Sequence, residues 1–213
     1  MLTRRHIRVK VMQCIYALVQ SKDDSLEKQE KFLKVSIENM YVLYLLMLSM
    51  LKELHAMAQY RTEQATKKYL ATEEDRFPNP KKFVENQLLL QISKNSLLEQ
   101  EWSKRKLNNW DLNIDYIKIL YKEILASDAY QNYMVKKESS YTEDRELVLT
   151  LFKTVIAPND KIYEYLEDDK LTWVDDFPIV NTYIVKRLKN ATQEAKPRYF
   201  APRLLKDEAD MLF

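Results

Sequence analysis

The 213 residues carry 34 Lys+Arg against 32 Asp+Glu, a net charge of only +2, and 46% of them are hydrophobic. That balance can bury a core and excludes wholesale disorder, and it leaves any attraction for a polyanion to local patches. There is no glycine, so the tight turns of hairpins and phosphate-binding loops are missing and the chain reads as all-α. The single cysteine, Cys14, excludes an intramolecular disulfide framework or a cysteine-rich zinc site and fits a cytoplasmic protein.

The first expected helix covers residues 3–21, TRRHIRVKVMQCIYALVQS. Thr3 is a good N-cap, and Ile7, Val11, Cys14, Ile15 and Leu18 recur at the spacing of a buried stripe. Arg4, Arg5, Arg8 and Lys10, with His6 among them, crowd the first turns. A helix dipole stabilises carboxylates there and not cations. The first acidic residue is Asp23. The apolar positions are periodic rather than continuous and no small-residue cleavage site follows, so the segment does not read as a signal peptide.

Ser25 or Asp24 starts a long second helix from Leu26 towards Tyr69. Phe32, Val35, Ile37, Tyr41, Tyr44, Leu45, Leu48, Leu51 and Leu54 fall at three-to-four spacing, which makes this helix the expected packing post. The apolar run over 40–51, interrupted by Ser49, is shorter than the ~20 residues that span a bilayer. A core-facing helix accounts for its methionines more simply than a sticky partner groove. Pro78 and Pro80 then break the pattern and mark a candidate boundary.

Helices are expected over 82–92, 96–106 and Ile114–Ala126, the last with Asn113 as cap, and more weakly over 127–137. Thr142 caps a strong helix over 143–156, with Leu147, Leu151, Phe152 and Val155 inward. Pro158 ends it, Asn159 or Asp160 caps a short helix to Glu167, and Asp175 or Asp176 caps Phe177–Lys189. Residues 190–202 read as a loop. The expected organisation is 1–71 as basic helix plus long central helix, 72–141 as an inserted helical region, and 142–213 as a further helical region. KDEADMLF at 206–213 echoes TEDRELVLTLF at 142–152, so the chain is expected to stop at the opening of a second copy and to be part of a longer polypeptide.

Catalysis is not expected. His6 and His55 are the only histidines, and neither has partners at ligand spacing. The acidic clusters Glu73, Glu74, Asp75 and Asp168, Asp169, Asp175, Asp176 stand at expected helix ends, where capping and dipole pairing explain them better than a bound cation. No nucleophile motif or phosphate loop is present, and no cofactor or metal is expected. Trp102, Trp110 and Trp173 read as lids over the core rather than as stacking platforms for bases.

The basic cluster is different, because a solvated charged face predicts mixed signs and here one sign occupies an unfavourable helix end. Guanidinium groups at Arg4, Arg5 and Arg8 suit planar, bidentate contacts with phosphate and stacking on unpaired bases, the way single-stranded RNA is held. Short arginine clusters also meet acidic proteins, so a helical interaction module with a basic tip and no RNA binding is the alternative.

The segment RRHIRVKVMQCIYALVQ resembles the opening helix of the transcription antitermination factor NusB family, through Arg4, Arg5, Arg8, Gln13 and Tyr16. LTWVDDFPIVNT at 171–182 adds a looser likeness to the longer NusB-like proteins of Bacteroidetes-type bacteria. The resemblance implies an all-helical bundle with a long helical insertion. It also implies binding of the boxA element of ribosomal RNA, jointly with the small-subunit ribosomal protein NusE and the transcription elongation complex. Arg4, Arg5 and Arg8, with His6 and Lys10, would contact RNA, and Gln13 and Tyr16 would serve packing and partner faces. Val9 stands where the family usually has an acidic residue, and the family's Phe-Val-Asn-Gly turn cannot occur in a glycine-free chain. The family's C-terminal bundle is therefore expected to be missing.

Overall fold

The middle of the second helix is apolar on every side, a composition that is stable only when other helices surround it. They do so in the computed structural model, which describes residues 4–21, 25–66 and 77–203. Helix α1 (Arg4–Ser21) pairs with the first third of α2 (Leu26–Thr66). The rest of α2 is packed by α3 (Gln87–Ser93), α4 (Ser96–Arg105), α5 (Asn109–Leu112), α6 (Ile114–Ala126) and α10 (Phe177–Lys189). Between them run α7 (Asp128–Val135), α8 (Tyr141–Leu151) and α9 (Asp160–Asp169). The fold is an all-α bundle, with no strand among the described residues.

Met40, Leu43, Tyr44, Leu45, Leu46, Leu48 and Met50 of α2 are fully buried. The apolar cluster around them runs from Met40 to Ala201 without a break and includes Phe83, Trp102, Ile117 and Tyr130, so the residues between the proline break and α8 share one core with those on either side. By length and composition α2 could cross a membrane, but 67% of its most apolar window is buried inside the protein. The three tryptophans lie deeper than lids. Their indole N–H groups donate to α2 carbonyls, Trp173 to Asn39 (2.8 Å), Trp102 to Leu45 (2.9 Å) and Trp110 to Leu46 (3.0 Å). A buried indole needs a partner for that N–H, and here the need ties three separate segments to one helix.

Several helix starts differ from expectation, each for a local reason. α8 begins two residues early because Ser140, and not Thr142, is its cap, in a reciprocal capping box with Glu143. α3 starts at Gln87 because the Asn86 side chain accepts from the Leu89 N–H. Lys82, expected inside that helix, lies in the preceding turn with Nζ donating to the Tyr133 carbonyl at 2.6 Å. Asn113 makes no capping bond, and its amide reaches the Asn109 carbonyl and Tyr165 Oη instead. The short α5 was not expected from the pattern. Without a glycine, the C-cap of α4 falls to Lys106 at φ 53°, with the Leu107 N–H closing onto the Trp102 carbonyl.

Candidate nucleic-acid interface

Among the described residues α1 packs mainly on α2, so only a narrow strip of it is covered. Cys14 is buried and Ile7, Val11 and Leu18 are half-buried along that strip. Ile15, expected inward, is 56% exposed, because one supporting helix cannot cover a stripe as wide as the pattern allows. The expected N-cap Thr3 lies outside the described residues.

Lys10 is the anchor of this contact. Its Nζ lies 2.8 Å and 3.0 Å from the two carboxylate oxygens of Asp176 and donates to Ser36 Oγ at 2.9 Å. Both charged side chains are almost wholly shielded, at 6% and 2% exposed. This corrects the expectation that Lys10 faces RNA, since its charge is spent inside the protein. Burial pushes the Asp176 carboxyl up from its ordinary range, with the Lys10 ammonium pulling the other way. One turn on, Gln13 donates to Asp175 Oδ2 at 2.9 Å. Lys10 and Gln13 together clasp the Asp175 and Asp176 pair at the start of α10, and Asp176 makes no capping bond there because its oxygens are engaged by Lys10. Gln13 is exposed and makes this polar contact at the edge of α1, while Tyr16 stands 66% exposed.

With that edge docked, Arg4, Arg5 and Arg8 are turned outward and exposed. Their i, i+3 and i, i+4 spacing places the three guanidiniums on one face. No acidic residue occurs anywhere in α1. The adjoining turns of α2 are of mixed sign, with Lys34 paired to Glu30 at 2.6 Å. His6 is half-buried, and its pKa is lowered by burial and by the neighbouring Arg5 charge, so near neutral pH it offers hydrogen bonds and not charge. The arrangement can take up phosphate oxygens bidentately and stack guanidinium planes on bases.

The same face carries something the sequence reading missed. Met12, Ile15, Tyr16 and Val19 continue it toward the far end of α1 at 56% to 70% exposed. Beside them a groove of about 260 Å³ runs between Val11, Cys14, Leu18 and, on α2, Leu26 and Leu33. The signal was present, since α1 holds more apolar residues than one stripe can bury.

His55 is buried, with Nε2 2.8 Å from the Val84 carbonyl and Nδ1 3.2 Å from Ser93 Oγ, and burial lowers its pKa. Among the described residues no group of three or more His, Cys, Asp or Glu is placed to hold a metal ion. Glu73, Glu74 and Asp75 lie outside the described residues. Asp168 and Asp169 close the C-terminal turn of α9, where the dipole disfavours carboxylates, so dipole pairing does not explain them.

Compared with known proteins, the chain matches no protein-family model, no characterised protein and no solved structure.

Proposed function

We propose that this protein binds single-stranded RNA through the outer face of α1 and acts, without catalysis, as an adaptor in transcription antitermination or ribosomal RNA maturation. The reading follows the NusB family that its first helix resembles. The observation that carries it is the exposed triad Arg4, Arg5 and Arg8 on a helix with no carboxylate, oriented outward by the buried Lys10 and Asp176 pair. Their position at the positive end of the dipole is offset when they meet a polyanion. A boxA-like leader or ribosomal RNA is the proposed ligand, with a NusE-type ribosomal protein and the elongation complex as partners.

Replacing Arg4, Arg5 and Arg8 together with Ala leaves the core untouched, so the variant should fold. Each lost phosphate contact should remove roughly 0.7 from the slope of log affinity against log salt, about 2 in all. An unchanged slope sinks the proposal. The alternative, a basic tip that meets an acidic protein, predicts equal binding of a boxA-like RNA and a scrambled one of the same length.

A further inference from the structure

Among the described residues two lysines are buried, Lys10 and Lys82, and their surroundings differ. Lys10 has Asp176 as its counter-ion. Lys82, in the turn before α3, is 3% exposed. Its Nζ donates to the Tyr133 carbonyl at 2.6 Å and lies 4.0 Å from the centre of the Tyr133 ring. Among the described residues no carboxylate pairs with it. An ammonium taken out of water without a counter-ion is costly, and lysine is seldom fully buried unless paired. Burial pulls the Lys82 pKa below the ordinary lysine range, with the charges of Glu143 and Asp144 acting the other way.

Both of those carboxylates are held by other donors. Asp144 accepts from Tyr133 Oη (2.7 Å) and Ser139 Oγ through one oxygen and from the Gln87 N–H (2.8 Å) through the other. Glu143 accepts from Lys136 Nζ at 2.6 Å and closes the capping box with Ser140. An ammonium carries three donors, and the Tyr133 carbonyl takes one of those on Lys82. The fold thus brings a cation into the interior and gives the nearby anions different partners.

Beside Lys82 a cavity of about 450 Å³ opens between α7 and α8. Lys82, Tyr133 and Leu147, all buried, form its floor, and Asn132, Glu146 and Thr150, all exposed, stand at its mouth. A largely apolar floor with one precisely placed charge is the makeup of a small-molecule site. We propose that this cavity binds a small monocarboxylate, its carboxylate on Lys82 Nζ and a short apolar tail against Tyr133 and Leu147. The carboxylate supplies the counter-ion that the fold omits. It uses donors that Nζ has left, so the bond to the Tyr133 carbonyl persists. Phosphate is disfavoured because its second charge meets Glu143 and Glu146, both of which line the cavity. None of these residues belongs to α1, so the site is independent of the RNA reading.

The test titrates the full chain with isovalerate, followed residue by residue in proton–nitrogen NMR spectra. Isovalerate should shift the amide resonances of Ala129, Tyr133 and Leu147. Isovaleramide, of the same shape without the charge, should bind about ten-fold more weakly, as expected for a hydrogen bond that loses its charged partner. Inorganic phosphate at the same concentrations should leave those resonances in place. No shift with isovalerate, shifts confined to other parts of the chain, equal affinity for acid and amide, or tighter binding of phosphate overturns the proposal. Lys82→Met keeps the apolar stem and removes the charge, and it should abolish the preference for acid over amide. A retained preference also overturns the proposal. If that variant does not fold, the titrations of the native chain decide alone.

Discussion

One helix passes through two environments in this molecule. Between Met40 and Leu51 every residue of α2 is buried, whereas in its first turns Leu26, Phe32 and Val35 remain exposed. The residues are of similar type and follow similar spacing, and the pattern assigned Phe32 and Val35 to the packed face. What separates the two stretches is the number of neighbours. Among the described residues, the middle of α2 is surrounded by several helices, while its start packs mainly against α1. Apolar periodicity tells which face a helix would bury, and the count of partners decides how much of that face is covered.

The sharpest way to break this contrast is to remove a strap from the middle. Trp110→Ala leaves a large cavity and removes the indole bond to the Leu46 carbonyl, which keeps its bond from Ser49 Oγ, and should cost about 4 kcal/mol, read as a fall in the urea midpoint at constant slope. A loss below about 1 kcal/mol would show that the middle of α2 is not the centre of stability. Next in size is Lys10→Ala, which strands the Asp176 carboxylate and should cost about 3 kcal/mol. Pairing Lys10→Met with Asp176→Leu should recover most of that loss, because the desolvation of both charges disappears together. If the double variant is as unstable as the single one, the pair stabilises by more than shielding each other's charge. The smallest effect is expected at the tip. Val19→Ser should change stability by no more than about 0.5 kcal/mol, as at any exposed site. A larger loss would mean that α1 is covered in solution.

Much of the bundle was legible from the sequence. The absence of glycine pointed to an all-α chain, and the bounds of α6 and α10 followed from apolar period and polar flanks. Caps were less legible, because Ser140 and Thr142 are both competent residues and only the reciprocal bond with Glu143 separates them. At the candidate interface, Arg4, Arg5 and Arg8 stood out by charge alone. The fate of Lys10 did not, because its partner Asp176 is 166 residues away and no local pattern links them. Side chains whose partners lie nearby in sequence could be placed. Those whose partners are brought by the fold could not.

The span of that ion pair also sets an order of events. A chain emerging from the ribosome presents Arg4, Arg5 and Arg8 well before the residue that seats α1, which follows Lys10 by 166 residues. Until Asp175 and Asp176 appear, Gln13 has no partner there and Lys10 has only Ser36, so the first helix lacks the ion pair that fixes its rotation about its own axis. The basic face thus exists before it acquires a direction.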